Sequence, residues 1–77
     1  MKVKIELLGL LHIMGVKNNS FIEVKDGATV SDIYTELNIL KDHQRFIIPF
    51  INGTEVRKSA NVKDGDIVKI FLPTGGG

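Results

Sequence analysis

Seventy-seven residues, with no cysteine and no tryptophan, leave room for one small hydrophobic core and little beyond it. The missing cysteine excludes a disulfide framework, a thiolate zinc site and a cysteine nucleophile. Ten basic against nine acidic residues give a net charge of +1 with no basic cluster beyond Arg57-Lys58, so neither nucleic acid nor an anionic membrane is an expected partner.

The 43% hydrophobic content is enough for a core but not for the walls of a deep pocket, so a self-contained enzyme is not expected. The most apolar stretch, residues 7–16, is too short to span a bilayer and contains His12, Gly9 and Gly15. Lys2 and Lys4 alternate with Val3 and Ile5 as in a strand rather than opening a signal peptide, and a cytoplasmic, reducing location is the expectation. Without a secretion signal, Asn18-Asn19-Ser20 and Asn52-Gly53-Thr54 read as turns rather than glycosylation sites.

Residues 2–8 alternate, Val3, Ile5 and Leu7 against Lys2, Lys4 and Glu6, which predicts a half-buried strand. A long connection, residues 9–19, leads to a second strand over 20–25, closed by the Asp26-Gly27 turn. Thr29 has the chemistry of a helix N-cap, with Asp32 three residues on in an approximate capping box. Val30, Ile33, Tyr34 and Leu37 follow at i, i+3, i+4 and i+7, a single helical stripe, and Asn38 supplies a stop.

Residues 41–45 read as an irregular or single-turn connection. The apolar run 46–51 predicts a strand, and Pro49, which lacks an amide, makes it either an edge strand or an interrupted one. Asn52-Gly53 is a strong hairpin signal, with a short return strand over 54–56. Asp64-Gly65-Asp66 is a further turn, its aspartates turn-formers rather than an acid pair. Residues 67–72 form the last strand, ended by Pro73.

The order strand, strand, helix, strand, short strand, strand implies an α+β layer with one main helix packed across one face of a mixed sheet. If the first and last strands pair at its centre, this is the β-grasp of ubiquitin, a pairing that composition does not establish. The expected organisation is a β-grasp domain over 1–72 and a flexible reactive tail over 73–77.

Five of the eight glycines punctuate turns and loops, and three are the last residues, Gly75, Gly76 and Gly77. Pro73 biases Leu72 toward an extended backbone, and residues 73–77 can reach about 17 Å from the sheet. Side chains are absent from the terminal three, so a channel too narrow for a β-carbon admits them. The chemistry natural to such an end is activation of its carboxylate by a nucleotide and capture by sulfur or an amine. The other reading is an inert frayed end.

On the last strand, Val68, Ile70 and Leu72 are expected to face the helix and Ile67, Lys69 and Phe71 the other side. On the strand before it, Ile47 and Ile51 are expected inward and Ile48 and Phe50 on the open face beside Phe71, with the inverted phase as the alternative. The apolar open-face patch is either a partner-docking surface or a second small core covered by residues 10–14. His12 and His43 lie far apart without clustered ligands, so no metal site is expected. No phosphate-loop signature precedes a helix.

Gly27-Ala28-Thr29-Val30, Ile51-Asn52-Gly53, Asp64-Gly65-Asp66 and Phe71-Leu72-Pro73-Thr74-Gly75-Gly76-Gly77, in this order and spacing, resemble the ubiquitin-like sulfur carriers over essentially the whole chain. That group includes the small subunit of molybdopterin synthase (the MoaD type) and the thiazole-forming carrier of thiamin synthesis (the ThiS type). The long first connection and Pro73 resemble the molybdopterin type. His12, where the family often carries arginine, the third glycine and the single proline depart from it.

The resemblance implies a carrier without catalytic residues or bound cofactor of its own. A ubiquitin-activating-type adenylyltransferase would use ATP to adenylate Gly77. A persulfide donor would convert it to a thiocarboxylate, and the large molybdopterin synthase subunit would use that sulfur. Pro73, Thr74, Gly75 and Gly76 would carry the reactive end, and Ile48, Phe50, Ile67 and Phe71 would meet partners. A thiamin-pathway carrier, a ubiquitin-like modifier joined to lysines through Gly77, and a non-reactive β-grasp binding module are the alternatives.

Overall fold

A computed structural model describes residues 1–9 and 20–72. The chain runs β1 (Lys2–Gly9), β2 (Ser20–Glu23), α1 (Val30–Glu36), α2 (Lys41–Gln44), β3 (Ile48–Ile51), β4 (Thr54–Glu55) and β5 (Ile67–Leu72). The strands form one mixed sheet in the order β2-β1-β5-β3-β4. β1 and β5 pair in parallel at its centre, from Lys4 opposite Ile67 to Gly9 opposite Leu72, and the other pairings are antiparallel. The central pairing of first and last strands is therefore the β-grasp arrangement.

Alternation in β1 and β5 decides which face is covered. Val3, Ile5, Val68 and Ile70 are wholly buried, against Val30, Ile33 and Tyr34 of α1. Residues that the local patterns did not single out complete this core: Val24, Ala28, Ile39 and Val62. Val62 belongs to no strand or helix. The Val62 amide donates to the Ala28 carbonyl, and Asn61 Nδ2 donates to that of Gly27, which sets the 60–62 segment under the start of α1.

The capping box forms as its spacing predicts. The Asp32 amide donates to Thr29 Oγ1 (3.2 Å) and the Thr29 amide to Asp32 Oδ2 (2.9 Å). Asn38, with φ of 58°, ends the helix. Asn52 and Gly53, both at positive φ (50° and 87°), make the tight hairpin turn between β3 and β4.

The aspartates of the 64–66 turn are structural: Asp64 Oδ1 accepts from the Lys2 amide, and Asp66 accepts from the Lys63 amide and from Asn52 Nδ2. The expected single turn over 41–45 is the one-turn helix α2.

The strands expected over 20–25 and 54–56 end earlier, at Glu23 and Glu55, and β3 needs two further corrections. β3 begins at Ile48 rather than residue 46, because the Phe46 and Ile47 amides are still held by His43 and Gln44 carbonyls at the end of α2. Nor is β3 an edge strand or interrupted at Pro49: it lies between β5 and β4. The Pro49 carbonyl accepts from the Val56 amide, so the nitrogen of Pro49 faces the same side, away from β5, and the ladder to β5 loses no donor.

Candidate functional site

The sheet face opposite α1 is built from the alternate residues of the same strands. Its register places side chains in rows. Leu8, Phe71 and Ile48 share one row, Glu6, Lys69 and Phe50 the next, and Lys4 and Ile67 a third, with Phe21 beside Lys4. The expected phase of β3 holds: Ile47 and Pro49 are buried, Ile51 packs against the core, and Ile48 and Phe50 are half-buried on the open side.

Leu8 (41% exposed) and Phe71, which is half-buried, sit in the row at the C-terminal end of β5, the end from which residue 73 continues. The four residues expected at a partner interface share this face but do not form one uniform patch. Phe71, Ile48 and Phe50 are contiguous, whereas Ile67 lies four residues back along β5, about 13 Å away.

Charge fills the interval. Glu6 lies between Lys4 and Lys69, its two carboxylate oxygens each 3.9 Å from one ammonium. An apolar row beside the strand end, backed by this ionic row, has the mixed character of a protein-docking surface. Leu8 was missing from the sequence-derived set although its signal was available: it continues the period that places Lys4 and Glu6 on this face. Phe21, 66% exposed, also belongs to the face, through its pairing with Lys4.

Pro73, Thr74, Gly75, Gly76 and Gly77 lie outside the described residues, as do residues 10–14, the expected cover of the patch, and His12. The inward orientation expected of the Leu72 side chain likewise falls outside them. Among the described residues, no three His, Cys, Asp or Glu side chains converge to hold a metal ion, and no helix is long and apolar enough to cross a membrane.

The model of the ThiS family matches residues 11–77. This chain belongs to the ThiS family. No curated protein sequence matches it significantly. The fold is shared with SAMP1 from Haloferax volcanii, with a TM-score of 0.74, 22% identity and both chains covered completely.

It is also similar to a putative molybdopterin converting factor, subunit 1, from Pyrococcus furiosus, with a TM-score of 0.68, 27% identity, and 95% of this chain and 98% of that one covered. A third similar structure is a complex of subunits 1 and 2 of molybdopterin-converting factor from Helicobacter pylori, at a TM-score of 0.65 and 26% identity with 100% of both chains covered. The fold is therefore the ubiquitin-like β-grasp of the sulfur carriers, as the resemblance implied.

Proposed function

We propose that this ThiS-family chain is a sulfur carrier that works through a thiocarboxylate at Gly77 and supplies sulfur for molybdopterin synthesis. The observation that carries the reading is the family match running through the terminal Gly75-Gly76-Gly77, on a domain whose central strand leads into that tail. Similarity to the subunit 1 proteins favours the molybdopterin branch over the thiamin branch.

The Gly77 carboxylate attacks the α-phosphorus of ATP on a ubiquitin-activating-type adenylyltransferase, and pyrophosphate leaves. The terminal sulfur of a persulfide donor then attacks the acyl carbon and displaces AMP. A second thiol takes the donor's inner sulfur into a disulfide and frees the thiocarboxylate. In the large molybdopterin synthase subunit, residues of that partner deliver the sulfur to the precursor.

This division of labour gives the chain three jobs: to present a carboxylate without side-chain hindrance, to hold it at a fixed distance from a docking face, and to let go. The row of Leu8, Phe71 and Ile48 at the strand end is suited to the second, because a partner seated there has the tail within reach. Pro73 and Thr74 are the spacer, and the three glycines enter the partner's channel.

Intact-mass spectrometry tests the reading. Incubation with the activating enzyme, ATP and a persulfide donor is expected to replace one oxygen of the chain by sulfur, and removal of Gly77 is expected to abolish that product. A mass unchanged beside an activating enzyme that is active on its own carrier overturns it. Isopeptide-linked conjugates on lysines, formed without the sulfur-bearing species, would favour a protein modifier instead.

A further inference from the structure

A concavity lies away from the tail, between the end of α1, α2, the entry of β3 and the 55–59 segment. It is an open depression of about 540 Å³. Its apolar wall includes Tyr34, Ile47, Pro49 and Val56, and its polar rim includes Arg45, Arg57 and Lys58.

The concavity is held in shape by backbone bonds and by one side chain that lines it. The Val56 amide donates to the Pro49 carbonyl, the Ser31 amide to that of Lys58, and the Val30 amide to that of Ala60. On the opposite wall, Gln44 Nε2 donates to the Ile39 carbonyl at 2.8 Å and ties α2 to the loop before it.

Two unmet needs meet here. Three cations face one carboxylate, Glu55, in a chain whose net charge is only +1. Among the described residues neither Arg57 nor Lys58 has an ion pair, and Arg45 is engaged only with the Phe46 ring, 4.9 Å from its centroid.

The second need is polar. Tyr34 is 1% exposed, and its hydroxyl is buried without any hydrogen-bond partner. Phenylalanine would fill that core position without desolvating a hydroxyl, so packing alone does not explain a tyrosine there.

We propose that this groove binds a small organic oxyanion, an aryl or branched acyl group bearing one phosphate or carboxylate. Its apolar part lies on Tyr34, Ile47 and Val56, and its charged end lies among Arg45, Arg57 and Lys58. The Tyr34 hydroxyl gains its partner when the ligand seats. A single small molecule is favoured over an added peptide strand because β4, the neighbouring edge, offers only two residues of ladder. The site makes no use of Gly77, so it stands or falls independently of the sulfur-carrier chemistry.

The test is a titration of the full chain, followed by amide chemical shifts, with phenyl phosphate, benzoate, inorganic phosphate and a short acidic peptide as separate probes. Phenyl phosphate or benzoate is expected to give saturable shifts confined to residues 44–47 and 55–60, and whichever saturates at lower concentration identifies the headgroup. Inorganic phosphate is expected to bind more weakly than either, since it lacks the apolar part.

Arg57→Glu combined with Lys58→Glu should weaken the aryl probe about tenfold or more. Tyr34→Phe should weaken it severalfold while leaving the melting temperature of the free protein unchanged or higher. Absence of localised shifts, equal binding of inorganic phosphate, or unchanged affinity in both variants would overturn the proposal. Saturation by the acidic peptide alone would also overturn it and assign the groove to a protein partner.

Discussion

The two faces of the central strands are written in the same dozen residues and differ in everything else. On the helix side Val3, Ile5, Val68 and Ile70 have no exposed surface; on the other, their sequence neighbours Lys4, Glu6, Lys69 and Phe71 are half-buried, and Glu6 lies opposite Lys69 across the strands. The covered face is apolar, and among the described residues the one buried side-chain polar atom without a hydrogen-bond partner is the Tyr34 hydroxyl. The open face is graded, apolar at the end that leads to the tail and ionic in the middle. In so small a chain, the stabilising face and the face proposed for docking are thus separated by the two-residue period of the strand rather than by distance.

The largest expected effect is on the covered face. Ile70→Ala removes a fully buried side chain from the middle of the core and should cost about 2–5 kcal/mol, read from the midpoint of chemical denaturation. A loss below about 1 kcal/mol would break the assignment of this face as the stabilising one.

Thr29→Ala, which removes the cap of the helix that covers this face, should cost about 1 kcal/mol by the same measurement. The companion carboxyl, Asp32, is held below the usual carboxylate range chiefly by the Thr29 amide that donates to it. Its contribution is therefore present at neutral pH and lost as pH falls through the acidic range, and Asp32→Asn should flatten that part of the stability–pH profile.

Alkali probes the same face from the other side. Burial pushes the Tyr34 phenol up from about 10 to about 12. Because the unfolded chain ionises first, stability contributed by the neutral phenol is intact below pH 10 and is lost as pH rises toward 12, by at most about 1.4 kcal/mol per pH unit. Tyr34 is the chain's one tyrosine, so its ultraviolet titration should show a single step displaced upward or coincident with unfolding.

Open-face substitutions should move stability least and partner reactions most. Phe71→Glu is expected to leave the fold intact and to weaken activation of the tail, measured as thiocarboxylate formed per unit time. Unfolding of that variant would instead make the face a second core. Smallest of all, Glu6→Gln removes both ion pairs of the middle row and should change stability by no more than about 0.5 kcal/mol.

What could be read in advance follows the range of the forces involved. The capping box at Thr29 and Asp32, the Asn52-Gly53 turn and the helical stripe from Val30 to Leu37 depend on neighbours within a few residues, and each forms as its spacing predicts. Register between β1 and β5 joins residues more than sixty positions apart, and it is not written in either strand alone.

Pro49 misled because a missing donor excludes only the side of the strand that the nitrogen faces, and that side is known only once the pairing is. Val62 carries no periodic signal, since its burial comes from a backbone bond to Ala28 rather than from a strand or helix. The groove at Tyr34 was invisible for the same reason: its walls come from four separate stretches of chain. The tail's readability is of another kind, resting on its composition and not on any contact.

The central place of β5 also sets an order of events during synthesis. This strand is made last, yet both halves of the sheet are hydrogen-bonded to it, β1 on one flank and β3 on the other. Until residues 67–72 are available, the nascent chain has two separate hairpins with open edges and no continuous core beneath α1. Folding is therefore completed by the same segment that leads into the glycines. A chain cut short before β5 has neither a finished domain nor the terminal glycines.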